Sequence, residues 1–594
     1  KTAELVWPVE NELALDIQRL IRLKISRNAG GQSNLYYKET DADGKTYAIF
    51  GNPNLGEIRG MFMGVYNNSS ATVCAETWFN ELRLSKINER GGWAATGRVD
   101  IKMADLGTLS LSGAYRSIGF GNVDQRVNER SRENYSQFDA ATNLELGKLL
   151  PPKAGLSIPV YAGYSQTVIT PEYDPYDLDI KLKDKLGAVS GATRDSIKRD
   201  AVDMTNTKTV NFTNVRKMNT SGKKPKIYSV ENFDISYSYT KTEHYSPLIE
   251  MQEMERHRAG LGYNYTSTPK YWEPFKKMIK SRTKWYDLAK DFNLNYMPSL
   301  LSFRADVNRQ FGAVRPKNVG GPKGILPETY DKYFTFDRYY GMRWDLTKAL
   351  NIDFTAINRA RVDEDSGRLD RIERRRMWSL FWRGGRNITY NQSANVTYTL
   401  PTSKLPLTDW TTVRVGYLAK YNWLAASLDT FAKSLGNFIG NSAERNITGE
   451  FDFARLYSKS KFLRALDWEN ANPQPQQLKR GRDSTNKKGQ PAAQRDDNGP
   501  LQLHPAIKIV GRILTSLKRV SVQYTDAGST SLVGYTDSAR WLGMNMRSKA
   551  PGLPFVFGRQ PDTSMINDFG RKGLITHNPL LNNLNRQDYN QRLN

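Results

Sequence analysis

The chain carries a single cysteine, Cys74, and four histidines, His244, His257, His504 and His577, in 594 residues. One thiol excludes an internal disulfide and any zinc site built from cysteines. The histidines are scattered without metal-ligand spacing. Gly44-Lys45-Thr46 lacks the upstream glycine of a phosphate-binding loop. Asp41-Ala42-Asp43-Gly44 opens like a calcium loop but has no distal glutamate, so it reads as a surface turn. No paired acids or nucleophile–base pair stands out, and neither an enzyme nor a cofactor or metal is expected. No apolar run approaches the roughly 18–20 residues of a membrane helix. The mean hydropathy of −0.63 is that of a water-soluble chain, yet strands of a barrel hide their lipid face in every second residue.

What is abundant is alternation. Asn387–Leu400 sets Ile388, Tyr390, Gln392, Ala394, Val396, Tyr398 and Leu400 on one parity and Asn, Thr and Ser on the other. Thr411–Trp423 repeats this with Val413, Val415, Tyr417, Ala419, Tyr421 and Trp423 against Arg414, Lys420 and Asn422. Period two places each set on its own face of a strand. These segments are about twice the five or six residues of an ordinary strand, the length a tilted strand needs to cross a bilayer. The predicted fold is all-β: a portion of a large transmembrane antiparallel β-barrel, with a small β-rich domain near the N-terminus and long loops. About sixteen to eighteen strands match this template.

On this reading Phe334, Phe336, Tyr340, Trp344, Ile352, Phe354, Val396, Tyr398, Val413, Val415 and Tyr417 face lipid. Asp337, Arg343, Asp353, Arg359, Asn391, Asn395, Arg414 and Lys420 face a hydrated lumen. Tyr (31) outnumbers Phe (23), with Trp at 12, consistent with aromatic girdles at the bilayer interfaces. Trp93 and Trp410, beside strand starts, are candidate interface anchors. The net charge of +25 is spread along the length and not gathered into a stripe, so nucleic acid is not an expected partner.

Residues 1–90 read as a small β-rich domain or barrel-inserted segment, with Asn11–Arg27 helical or extended and β-like stretches at Ile58–Tyr66 and Val73–Leu84. Residues 91–469 read as barrel strands with loops, Asp179–Thr209 and Glu364–Gly384 being the long polar ones. Residues 270–290 suggest an amphipathic helix, and Arg371–Arg376 reads as loop charge. Residues 470–506 read as a flexible polar loop. Residues 507–594 read as further barrel strands, including a hairpin of Leu514–Tyr524 with Ser529–Tyr535, and an extended, plug-like tail. The start at Lys1 without a signal peptide suggests a mature product or internal fragment. Without a terminal amphipathic strand, Asn594 does not look like a natural barrel end.

Several stretches are more specific than pattern. They are CAETWFNELRL (Cys74–Leu84), ADLGTL (Ala104–Leu109), AATNLELGK (Ala140–Lys148), PEYDPYDLDIKLKDKL (Pro171–Leu186), FTNVR (Phe212–Arg216), KDFNLN (Lys290–Asn295), LPLTDW (Leu405–Trp410) and PGLPFVFG (Pro551–Gly558). In this order they resemble the SprA/Sov family, the outer-membrane translocon of the type 9 secretion system of Bacteroidota, with this chain resembling a portion of it. The resemblance implies a giant barrel of roughly three dozen strands that passes folded cargo with C-terminal sorting domains to the cell surface. It implies as partners a PorV-like small barrel at a lateral opening, a periplasmic plug protein, the secreted cargo and other periplasmic or surface components. Membrane lipid and lipopolysaccharide would surround it. The rival reading is an ordinary outer-membrane porin or a plugged nutrient transporter.

Overall fold

The computed structural model describes residues 7–8, 11–86, 90–220, 222, 224–279, 283–319, 324–460, 463, 510–511, 513, 515–540, 542–581 and 585–594. The predicted loop at 470–506 lies outside them.

The first folded unit is small. Helix α1 (Ile17–Ala29) is capped by Asp16, which accepts from the Gln18 amide at 3.0 Å. It packs Leu20 and Leu23 onto Tyr37, Tyr47 and Ile49 of the hairpin β1 (Asn34–Thr40)–β2 (Thr46–Gly51). The fully buried Arg27 donates to the carbonyls of Leu35 (3.2 Å) and Gly51 (2.7 Å), tying helix to hairpin. The β-like stretches expected at Ile58–Tyr66 and Val73–Leu84 join no sheet; they run exposed toward the first long strand.

That strand, β3 (Ala94–Met103), begins one large antiparallel sheet. It continues through β4 (Gly107–Arg116), β5 (Glu133–Glu145), the two-residue β6 (Leu156–Ser157) and β7 (Pro159–Pro171). An insertion follows, formed by β8 (Tyr173–Asp174), β9 (Asp177–Lys181), α2 (Leu182–Gly187) and α3 (Gly191–Ala201). The sheet resumes with β10 (Asp203–Lys217), β11 (Phe233–Tyr245), β12 (Ile249–Thr266), β13 (Leu300–Pro316), β14 (Thr329–Asp345) and β15 (Leu350–Arg361). After α4 (Asp287–Lys290) before β13 and α5 (Arg371–Trp382) after β15 come β16 (Arg386–Leu400), β17 (Thr411–Leu424) and β18 (Asn437–Asp452). Strands β19 (Arg519–Tyr535) and β20 (Arg586–Leu593) complete it. The sheet holds 16 strands, nearly all paired with their sequence neighbours, and β3 and β20 lie at its two edges. It is therefore an open wall and not a closed barrel among the described residues.

Four expectations change. The described residues of Trp272–Lys290 form no amphipathic helix: Trp272 and Leu294 exchange backbone hydrogen bonds (2.8 and 3.1 Å), holding their ends antiparallel, and among the described residues only α4 is α-helical. Arg371–Arg376 is not loop charge but the start of α5. Its capping box sets the Asp370 carboxylate on the Glu373 amide (2.7 Å) and the Glu373 carboxylate on the Asp370 amide (2.9 Å). Leu514–Tyr524 and Ser529–Tyr535 are not two arms of a hairpin. Strand β18 pairs without a break from Asp452↔Arg519 to Phe438↔Val533, so Asp526-Ala527-Gly528 runs through as strand. The tail folds back over the sheet and ends as the edge strand β20.

Candidate functional site

The functional feature is the pair of faces that the register creates. Residues directly opposite in an antiparallel ladder share a face. Phe336 faces Ala360, Tyr340 faces Ala356, and Trp344 faces Ile352. Ile352 faces Val396 and Phe354 faces Ala394; Val396 then faces Tyr417, Tyr398 faces Val415, and Leu400 faces Val413. Phe334 belongs to the same set by parity along β14. All eleven residues assigned to lipid therefore lie on one side of the wall.

The eight assigned to the lumen lie on the other side. Asp337 faces Arg359 and Arg343 faces Asp353, which accepts from the Arg343 guanidinium at 2.6 Å. Asp353 faces Asn395, Ile357 faces Asn391, Ser393 faces Lys420, and Thr399 faces Arg414. Cross-strand pairs of opposite charge leave this surface polar without a run of one sign. It offers hydrogen bonds and screened charge but little apolar area.

The apolar side is not uniformly open. Phe334 is 1% exposed, covered by α5: its ring stacks on Phe381 (5.6 Å between centroids) and meets the edge of Trp378 (6.3 Å). Met377 and Val362 complete that cluster. Residues 537–574 cover the loop-side half of β15–β19, burying Tyr421, Trp423, Ile439 and Leu532 beneath Phe555, Val556 and Phe569. Polar groups of the sheet hold the backbone of this cover in place. Asn441 donates to the carbonyls of Phe555 (2.9 Å) and Arg559 (2.8 Å), Gln392 to Val556 (3.2 Å), Tyr417 to Phe557 (2.5 Å) and Trp423 to Asp537 (3.0 Å). The PGLPFVFG motif thus closes onto strands β16–β18. The bonds from Asn441 to Phe555 and from Gln392 to Val556 satisfy buried carbonyls that the tail would otherwise strand away from water. Sequence reasoning missed this; its trace was the polar Gln392, Asn441 and Thr530 on the parity that carries Val396, Ile439 and Leu532. It also missed Arg338, which shares the apolar side, lies over the Phe336 ring at 4.9 Å, and donates to Gly384 (3.1 Å) and Asn387 (3.0 Å).

The candidate anchors lie near the rims. Trp93 is exposed just before β3, its ring 4.7 Å from that of Tyr115, and Trp410 packs on Phe451 and Phe453 at 5.9 and 5.3 Å. At the rim that carries the 346–349 turn, Lys276 and Lys348 hold the Glu273 carboxylate down to about 2. In the β8–β9 insertion, burial, with Asp200 and Asp174 nearby, pushes the Tyr176 hydroxyl up to about 12, and it donates to the Pro247 carbonyl at 2.7 Å. Neither group sits beside a nucleophile or a second acid placed for catalysis, and the described residues contain no cluster of metal-ligating side chains.

The chain is a β-rich protein built on one large antiparallel sheet. No helix among the described residues is long and apolar enough to cross a membrane. Residues 1–186 match the family model SprA_N, described as a motility related/secretion protein. The match spans α1 through β9 and includes the CAETWFNELRL and PEYDPYDLDIKLKDKL motifs. No curated protein matches the chain.

Proposed function

We propose that this chain forms part of the wall of the protein-conducting outer-membrane translocon of the type 9 secretion system. The observation that carries the reading is the continuity of the two faces across the register from β3 to β19. An apolar belt on one side and paired charges on the other are what a bilayer and a hydrated conduit each require. Unpaired backbone groups are costly in hydrocarbon, so in a membrane the edge strand β3 and the part of β19 before Tyr524, which β20 does not reach, need partner strands. A larger wall supplies them. The work of the wall is passive: a wide polar lumen lets folded cargo with a C-terminal sorting domain pass to the cell surface without sticking. A PorV-like small barrel, a periplasmic plug, other components of the secretion system, and surrounding lipid and lipopolysaccharide are its partners in this reading. The protein is not an enzyme and resides in the outer membrane.

Site-specific photo-crosslinking tests it. A crosslinker at Asn391, Asn395 or Lys420 is expected to capture cargo arrested during export, whereas one at Val396 or Val415 captures none. Small-solute permeation with no cargo adduct from either face would favour the porin or nutrient-transporter reading, and capture from the Val396 face alone would reverse the two faces.

A further inference from the structure

The apolar side changes character partway up the strands, and the place of change is ordered. From the end of each strand that lies toward the 346–349 turn, and past Lys217 at the very end of β10, the first side chain on that side with a charge or an amide is Lys208 on β10, Lys241 on β11 and Glu255 on β12. It is Arg309 on β13, Arg338 on β14, Asn358 on β15 and Gln392 on β16, and on β18 and β19 it is Arg445 and Asp526; β17 carries none on that side. Below these positions the same parity is apolar or aromatic, as in Phe233, Ile235, Tyr237 and Tyr239 on β11.

The polar front is not a consequence of strand ends. Arg445 stands well inside β18, whose loop-side end is Asn437. Apolar residues reappear above the front chiefly where the protein itself covers them: Phe334 under α5, and Tyr421, Trp423, Ile439 and Leu532 under residues 537–574. Where no such cover lies, the upper side is laced by ion pairs. Lys241 meets Glu253 at 2.7 Å and Glu243 and Glu255 at 3.1 Å; Arg309 meets Glu364 at 2.6 Å; Arg368 bridges Glu253 and Glu328, each at 3.1 Å. Hydrocarbon would need no protein cover over rings and would not tolerate that density of charge.

The front also climbs through the register at a definite rate. Lys208 and Lys241 share a register row that reaches β14 at Lys332. Arg445 and Asp526 share a row that reaches β14 at Trp344. The front therefore drifts by about 12 residues over nine strand-to-strand steps; at ~3.3 Å per residue and ~4.8 Å between strands, this is a slope of about 40°. Strands of outer-membrane barrels tilt by roughly 35–45°. Tilted by that amount, the oblique front becomes a level line around the wall.

Resting on the reading above, we infer that this line is a surface of the bilayer. The turn-side half of β10–β19 is embedded in lipid acyl chains. The loop-side half of the same strands stands outside the membrane as an ion-paired wall covered by α5 and the tail.

Spin labelling in the membrane-embedded protein tests this. In a Cys74→Ser background, single cysteines at Ile352, Val396 and Arg445 occupy one register row, and nitroxides there are read for collision with oxygen and with a water-soluble nickel chelate. Labels at 352 and 396 should favour oxygen and the label at 445 nickel, although all three share a row. Lys208 and Ile235 provide a second pair across the front on strands the tail does not touch, should a label at 445 disturb folding. Oxygen preference at both 445 and 208 would overturn the inference while leaving the lipid face intact. Nickel preference at 352 and 396 with oxygen preference at Asn395 would instead overturn the assignment of the faces themselves.

Discussion

The Lys24 ammonium and the Asp179 carboxylate, 155 residues apart in the chain, meet at 2.9 Å with both side chains almost wholly buried. Lys24 also donates to the Pro53 carbonyl at 2.9 Å and lies 3.5 Å from Asp177. The pair fastens α1 to the β8–β9 insertion, so the first folded unit is anchored to a loop of the wall.

Lys24→Met alone should loosen that attachment severely. It leaves the Asp179 carboxylate buried without its cation, a change that costs about 3–5 kcal/mol, whereas replacing both partners by apolar groups is often nearly neutral. Limited proteolysis of residues 11–60 should accelerate in Lys24→Met and return close to the parent rate in Lys24→Met/Asp179→Leu. Equal sensitivity of the single and double variants would show that the pair does not hold the unit in place.

Phe555 is the centre of the tail's packing. It is fully buried, meets Tyr421 edge-on at 6.1 Å and approaches Phe569 at 6.3 Å. Phe555→Ala opens a cavity beneath the cover and should destabilise it by about 3–5 kcal/mol. Hydrogen exchange should rise across residues 537–574 while strands β10–β13 stay protected. Uniform loss of protection along the whole sheet would mean the tail and wall unfold as one unit.

Much of the wall was legible because a strand writes its two faces as a period of two, and β14–β18 keep that period for 12 to 17 residues. The errors arose where another interaction overrode the pattern. Asp526-Ala527-Gly528 has turn-like composition, yet continuous pairing with β18 keeps it extended. Strand β20, Arg586–Leu593, has no apolar parity and is exposed throughout, so its pairing to β19 through backbone hydrogen bonds left no mark in the sequence. Helix α5 did leave one: Asp370 and Glu373 form a capping box, and Met377 and Phe381 fall four residues apart on the side that meets Phe334. The dense arginines hid it. The cover formed by residues 537–574 was not readable, because its contacts are made by side chains more than a hundred residues distant.

Gly558 closes the PGLPFVFG motif at φ 92°, and a Cβ there would come within 2.8 Å of the Ala443 Cβ and 3.1 Å of the Tyr417 hydroxyl oxygen. An alanine must therefore either distort the turn or lift it from β17 and β18. Gly558→Ala should break the Tyr417–Phe557 hydrogen bond and raise exchange at Phe557 and Arg559 more than at Thr563–Arg571. An unchanged exchange pattern would show that the turn has room to shift.

The two faces make opposite predictions for a charge added at neighbouring positions. Val396 lies below the polar front between Ile352 and Tyr417, and Asn395 lies on the opposite side between Asp353 and Leu418. An arginine exposed to the middle of a bilayer costs a barrel about 2–4 kcal/mol, falling toward zero near the interfaces, while a lumen position tolerates it. Val396→Arg should thus lower the stability of the folded protein in lipid vesicles by an amount in that range. Asn395→Arg should leave it nearly unchanged, helped by the Asp353 carboxylate opposite. Denaturant titration of both variants in the same vesicles measures the difference directly. Loss of stability at Asn395 and none at Val396 would reverse the membrane and lumen sides, and with them the direction in which any passenger could travel along this wall.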